Sequence, residues 1–196
     1  MTAAAAWLAQ GSVLMAASPS PPAARWTVRG EFVVNTPSDP LPGNAVVAIS
    51  VARRVARAIA VEGSLGAGLP VTTIASDATG ATRDVDIGSG LHAALLFRFH
   101  RTLTASGRSS LSLAAGPSLV SGSAFGTVPM ARVELGFDRR IGGAGIFFAG
   151  IGYEIALATS REPFPAAECA TSSGCPPRYQ AGHGQVTSRF GAGLTF

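Results

Sequence analysis

Pairs of opposite charges in this sequence are spaced two residues apart. Arg29 stands two positions before Glu31, and Arg132 stands two before Glu134. A β-strand directs alternate side chains to opposite faces, so charges two apart share a face. Opposite charges on one confined face predict ion pairs rather than catalysis. The predicted lumen charge network has four arginines and four glutamates, namely Arg29, Glu31, Glu62, Arg98, Arg132, Glu134, Glu154 and Arg189.

The elements that must position these charges are eight stretches with period-two patterning, which is typical of strands with two different faces. Each is near or above the roughly 9 to 11 residues that a tilted strand needs to cross a bilayer. The sequence therefore predicts an all-β fold, an eight-stranded antiparallel up-and-down transmembrane β-barrel. The predicted strands cover residues 25–35, 45–55, 57–70, 87–101, 109–121, 128–139, 145–158 and 185–196.

The second face of these strands carries no charge. In the predicted sixth strand it reads Pro129, Ala131, Val133, Leu135 and Phe137. A soluble barrel would turn such a face inward and show water a face rich in Lys, Thr and Glu. The charged face here is instead nearly neutral and rich in small residues, as suits the narrow interior of an eight-stranded barrel. We therefore expect the charges to fill the interior as a plug, with the uncharged face against lipid.

Composition excludes several classes of protein. The chain has 196 residues, of which 47% are hydrophobic and 13% charged, about half the usual charged share of a soluble domain. No apolar run approaches the roughly 18 to 20 residues of a membrane-spanning helix. The net charge of +4 comes from fifteen arginines and no lysine. Because these arginines are scattered and not interleaved with aromatic residues, we expect no nucleic-acid binding.

The predicted connections alternate in length. Residues 35–44, 70–86, 121–127 and 158–184 form loops of varied length, and residues 53–56, 100–110 and 138–145 form tighter turns. A bacterial outer-membrane barrel has short periplasmic turns and longer extracellular loops in this order. A soluble sandwich has no reason to alternate them.

The N-terminal segment resembles a secretory signal. Residues 3–17 are apolar and are followed by small residues and prolines, although a basic start is missing. We expect residues 1–24 to be a signal peptide with a spacer and residues 25–196 to be the barrel domain.

The two cysteines, Cys169 and Cys175, lie in the polar stretch "ECATSSGCPP". Two cysteines with dispersed histidines are too few for a structural zinc site, so we expect no metal site and no cofactor. A disulfide between them is the favoured interpretation, and it implies an oxidising compartment.

The C-terminal strand alternates to its last residue, with apolar side chains at Phe190, Ala192, Leu194 and Phe196. An unpaired strand edge is costly in hydrocarbon, so this strand must pair with the first one. With this pattern the chain resembles the small OmpA-like and OmpX-like eight-stranded outer-membrane β-barrel family over residues 25–196. The resemblance implies that these four residues are an assembly signal read by the barrel-assembly machinery, and that the protein is a monomer in the bacterial outer membrane.

The tight turns depart from that family, because they hold seven arginines while the longer loops hold more acidic than basic residues. Such barrels often place basic residues outside, where they meet lipopolysaccharide phosphates. The reversed distribution argues against tight lipopolysaccharide binding.

Catalysis is the weakest interpretation of the sequence. Some small barrels deacylate lipid A with a His and a Ser two residues apart, but Ala94 follows His92 at that spacing, Thr102 follows His100 and Gln185 follows the third histidine. Nothing orients a nucleophile against a base. The glycine-rich residues 63–68 are followed by no helix and no lysine, so they indicate strand packing rather than a phosphate loop.

The sequence thus predicts a non-enzymatic outer-membrane barrel whose extracellular loops act in envelope integrity, adhesion or surface recognition. Outer-membrane lipid is the expected partner, and the pattern identifies no extracellular ligand. Two alternatives remain open at this point: a soluble secreted barrel that binds a small apolar ligand, and a lipid A-modifying membrane enzyme.

Overall fold

The computed structural model describes residues 26–36, 44–69, 72–76, 82–86, 90–122, 126–160 and 180–196. Within these ranges, no helix is long and apolar enough to span a membrane. The predicted leader, residues 1–24, lies outside the described residues. The strands are β1 (Trp26–Asn35), β2 (Asn44–Ala56), β3 (Ile59–Gly68), β4 (Thr72–Ser76), β5 (Thr82–Asp86), β6 (Gly90–Thr102), β7 (Ser109–Gly122), β8 (Gly126–Ile141), β9 (Gly145–Ala156) and β10 (Gly184–Thr195).

Eight of these strands close into one antiparallel barrel in the order β1-β10-β9-β8-β7-β6-β3-β2. Strands that follow one another along the barrel chain are neighbours, and β10 pairs with β1 to complete the ring. At this seam the Trp26 amide donates to the Phe196 carbonyl at 2.9 Å, and the Phe196 amide donates to the Trp26 carbonyl at 3.0 Å. The predicted all-β, eight-stranded antiparallel barrel is confirmed.

The alternation of side chains explains why these segments form barrel strands. Along β8, the side chains of Val128, Met130, Arg132 and Glu134 are buried, and the residues between them are exposed. Strands place successive side chains on opposite faces, so one face lines the interior and the other faces outward. Closure leaves no strand edge, because every barrel strand has two hydrogen-bonded neighbours.

The strands extend further into the predicted turns than the sequence pattern indicated, and the turn predicted at 100–110 is reduced to residues 103–108. β2 continues through Arg53 and Arg54 to Ala56, which reduces the connection to residues 57–58. β8 continues through Asp138 to Ile141, so the next connection is residues 142–144. The turns predicted at 53–56 and 138–145 therefore start before the observed turns, because the charged residues that suggested them are paired across the sheet. Gly142 has a φ of 68°, which glycine adopts without steric cost.

The β4–β5 hairpin was not predicted. It lies within residues 70–86, which the sequence pattern assigned to a loop, and it pairs Thr72 with Asp86 and Ser76 with Thr82. It is a separate two-stranded sheet. Its strands are five residues long, which is too short for period-two patterning to reveal them.

Candidate functional site in the barrel interior

All eight residues of the lumen charge network lie in the barrel interior. Each has a residue exposure of 4% or less. They come from β1, β3, β6, β8, β9 and β10, so the network depends on the closed barrel and on no single local segment. The structure brings every predicted member of this set together.

Arg189 of β10 connects three carboxylates of the network. Its Nε donates to Glu31 Oε2 at 3.1 Å, its Nη1 donates to Glu134 Oε2 at 2.9 Å, and its Nη2 donates to Glu62 Oε1 at 2.8 Å. Its Nη2 also contacts Glu31. One guanidinium from the closing strand therefore binds carboxylates from three other strands, namely β1, β3 and β8.

Arg98 of β6 forms a second bridge in the same layer. Its Nε and Nη2 donate to the two oxygens of Glu62 at 3.0 and 3.1 Å, a bidentate pair, and Nη2 also donates to Glu134 at 2.7 Å. Its Nη1 donates to the hydroxyl of Ser112 at 2.9 Å. Arg29 of β1 contacts Glu62 as well. Each charge in this layer thus has hydrogen-bonded partners, which is the condition under which buried ions are tolerated.

Glu154 of β9 marks the part of the network nearer the β9–β10 connection. It accepts from Arg132 Nη1 at 3.2 Å, from Gln185 Nε2 at 3.1 Å and from the Ser118 hydroxyl at 3.1 Å. His92 Nε2 lies 3.2 Å from Glu154 Oε1. The Ser118 hydroxyl is therefore directed to the carboxylate, and this is not the arrangement of a serine nucleophile held by a histidine base.

Asp138 is an interior charge that the sequence pattern missed. It is 5% exposed, and Arg29 Nη1 donates to its Oδ1 at 3.2 Å. His100 Nδ1 lies 3.6 Å from the other oxygen, Oδ2. Asp138 lies four residues after Glu134 on the same strand, so the two side chains share a face, and this spacing could have identified it. The two arginines that follow Asp138 suggested a turn instead.

Phe148 occupies the middle of the charged interior and was also missed. The guanidinium groups of Arg29, Arg98 and Arg189 lie 4.3, 5.1 and 5.1 Å from its ring centroid, within the range of cation–π interactions. Two cross-strand partners, Gly136 and Gly150, make room for the ring: a Cβ at either would come within 2.8 or 2.9 Å of a ring carbon. Phe148 could have been identified in the sequence as an aromatic residue at an inward-facing position of its strand, accompanied by two glycines.

The predicted C-terminal signal lies on the opposite surface. Phe190, Ala192, Leu194 and Phe196 all face outward and are exposed. Phe190 pairs with Phe32 of β1, and their rings stack with centroids 6.1 Å apart. The remaining predicted site residues, Cys169 and Cys175, lie outside the described residues.

The interior side chains are arranged to hold one another in place by ion pairs rather than to catalyse a reaction. Each of the five carboxylates among the described side chains contacts at least one arginine, so none is left as an unpaired base. No group of three or more His, Cys, Asp or Glu among the described residues is placed to hold a metal ion. The site is a cross-linked layer of side chains that joins the strands across the barrel.

We assign the class of protein from the fold and from the side chains in the barrel interior. No family model matches the chain, and no curated protein matches it. The fold and interior define a closed eight-stranded antiparallel β-barrel with a charge-filled core. The resemblance to the OmpA-like and OmpX-like family stays a prediction.

Proposed function

We propose that this chain is a non-enzymatic β-barrel of the bacterial outer membrane, and that it acts through the loops at one end of the barrel. The observation that carries this proposal is the inverted distribution of polarity. Among the residues that the structure describes, twenty-eight large hydrophobic side chains are exposed, whereas all five carboxylates are buried. A surface of this kind is unfavourable in water, where contiguous apolar patches rarely exceed a few hundred Å².

The outward face has the continuity that a lipid-facing band requires. On β8, the outward residues from Pro129 to Phe137 are all uncharged, and the same holds on β6 from Leu91 to Phe99. Each stretch covers nine residues, which matches the roughly 9 to 11 residues of a tilted transmembrane strand. Closure into a barrel supports the same proposal, because hydrocarbon tolerates no unpaired strand edge.

The charged interior argues against a soluble carrier of apolar ligands. Such a carrier needs an apolar cavity with a few polar groups. Here four arginines and five carboxylates occupy the inside of the described barrel. The same packing supports a plug rather than an open pore, so we assign the barrel no transport function.

Among the side chains that the structure describes, no contact supports enzymatic modification of lipid either. The small barrels that deacylate lipid A use a histidine that faces the membrane. His92 faces inward and is 3% exposed, and His100 shares its parity on β6.

We therefore place the biological activity in the connections 37–43, 77–81, 123–125 and 161–179 and in the β4–β5 hairpin. Envelope integrity, adhesion and surface recognition are the functions that such a display supports.

Fractionation of cells that produce the protein tests the membrane part of this proposal. We expect the protein to sediment with the outer membrane and to migrate differently on SDS gels before and after boiling, because a folded barrel resists SDS until heated. Release by osmotic shock without detergent, with identical migration in both samples, would contradict it.

A pair of segment replacements tests the loop part. Replacing residues 161–179 with a Gly/Ser linker of equal length should abolish adhesion or ligand capture by intact cells while preserving heat-modifiable migration. The matched control replaces residues 103–108, which connect strands at the opposite end of the barrel. Equal effects of the two replacements would show that surface display by the longer loop is not the source of activity.

A further inference from the structure

One end of the barrel concentrates the basic side chains. We call it the turn end; it holds the connections 57–58, 103–108 and 142–144 together with Trp26 and Phe196. Of the eleven arginines whose side chains the structure describes, four belong to the interior network and seven lie at the turn end. The seven are Arg53, Arg54, Arg57, Arg101, Arg108, Arg139 and Arg140.

Acidic side chains do not balance this end. Among the described side chains, the one carboxylate close to it is Asp138, which is buried and contacts Arg29 inside the barrel. The connections at the other end contain six acidic residues and three arginines in the sequence. The molecule therefore has a strong charge asymmetry along the barrel axis, with its positive end at the turns.

Three of the seven arginines continue the uncharged outward face. Arg53 follows Val51 at the same parity, Arg101 follows Phe99, and Arg139 follows Phe137; all three arginines are exposed. We call these three the outward rim. They come from β2, β6 and β8, which are alternate strands along half of the barrel circumference, so they are not gathered in one patch.

Aromatic side chains accompany the outward rim. The guanidinium of Arg53 lies 5.3 Å from the ring centroid of Trp26, its cross-strand partner. Arg139 pairs across the sheet with the exposed Phe147 of β9. Aromatic rings prefer the headgroup level of a bilayer, and arginine side chains of this length extend past them to reach the phosphate layer.

We propose that the outward rim binds the phosphates of anionic glycerophospholipids in the leaflet that surrounds the turn end. This inference rests on the proposed membrane function and adds a lipid class and the residues that select it. A guanidinium binds a phosphate with two parallel hydrogen bonds, which an ammonium group does not reproduce. In a zwitterionic lipid the headgroup ammonium already neutralises the phosphate, whereas an anionic lipid leaves a net negative charge for the arginines.

The position of Trp26 beside Arg53 makes the selectivity measurable. In a Trp7→Phe background, Trp26 is the sole tryptophan of the full chain. We would fold this protein into vesicles that contain a brominated lipid, either phosphatidylglycerol or phosphatidylcholine, at equal mole fraction in unlabelled phosphatidylcholine. Bromine quenches tryptophan at short range, so the ratio of the two quenching efficiencies reports the lipid next to Arg53.

We expect brominated phosphatidylglycerol to be favoured about fivefold over brominated phosphatidylcholine next to Trp26, the effect of one basic residue at an anionic surface. Arg53→Gln should reduce the ratio to near one. The triple substitution of the outward rim to Gln should do the same, with no loss of quenching by the neutral lipid. The matched control substitutes Arg57, Arg108 and Arg140 to Gln, which removes three charges from the same end and leaves the outward rim intact.

Two results would overturn the inference. A ratio near one in the parent protein would show that the outward rim does not select anionic lipid. An equal loss in the control triple and the rim triple would show a diffuse potential rather than phosphate contact. Failure of the membrane proposal has a different signature, because Trp26 would then be quenched by neither brominated lipid.

Discussion

Removing the guanidinium of Arg189 is the most informative single perturbation of the interior. Arg189→Met keeps a long apolar side chain but deletes the donor that Glu31, Glu62 and Glu134 share. Breaking a buried ion pair from one side leaves an uncompensated charge and costs about 3–5 kcal/mol. We therefore expect the free energy of unfolding in lipid vesicles, measured by urea titration, to fall by that amount.

The matched control is Arg108→Met, the same substitution at an exposed residue of the turn end. Surface substitutions of this kind usually change stability by less than about 0.5 kcal/mol. A second variant combines Arg189→Met with Glu31→Met and so removes one charge of each sign. Coupling between contacting residues reaches about 0.5 to 3 kcal/mol, and the double variant should be more stable than Arg189→Met alone.

The refuting results are specific. If the free energy of unfolding of Arg189→Met is within about 1 kcal/mol of the parent's, buried charge pairing does not hold the interior together. That result would disagree with the known cost of an unpaired buried ion. Glu31→Met alone completes the cycle. If the double variant loses as much free energy of unfolding as the two single variants together, the two side chains are not coupled as their contacts indicate.

Three further predictions concern the wall, the seam and the packing of the barrel. Leu95 and Val133 lie mid-strand on the outward face, so Arg at either position should reduce the free energy of unfolding in vesicles by about 2 to 4 kcal/mol. If both variants are as stable as the parent, the inward and outward faces have been assigned the wrong way round. Deleting Phe196 removes both backbone hydrogen bonds that close β1 onto β10 at its end, so outer-membrane yield on unboiled gels should fall well below that of a single deletion within residues 161–179. Gly136→Ala should lower the free energy of unfolding by about 1 to 3 kcal/mol in urea titration, because its Cβ would meet three interior side-chain atoms within 2.8 Å. Gly30→Ala should be tolerated, because nothing lies within 4 Å of its Cβ position. Equal losses in the two variants would contradict the packing described.

The barrel itself could be predicted because period-two alternation follows directly from strand geometry. Charges on one face and apolar residues on the other identified eight strands, and the eight network residues share the inward parity that the pattern gave them. The same parity placed the aromatic C-terminal residues outward. Chain closure followed from the need to satisfy the edges of the first and last strands.

Local patterning did not reveal features that depend on cross-strand pairing. Asp138 precedes two arginines and suggested a turn, but it pairs with Phe148 across β8 and β9. The inward position of Phe148 follows from its parity, whereas its three arginine contacts require the closed barrel to be known. The β4–β5 hairpin escaped because five-residue strands present too few alternations to count.

The central claim is that the uncharged outward face meets hydrocarbon, and a spin-label profile along β8 tests it most directly. In a Cys169→Ser, Cys175→Ser background, single cysteines replace Thr127, Val133 or Arg139, three outward positions at the two ends and the middle of the strand. In vesicles we expect the label at position 133 to collide mainly with oxygen, and those at 127 and 139 to collide mainly with a water-soluble nickel chelate. High accessibility to the nickel chelate at all three positions would contradict the account.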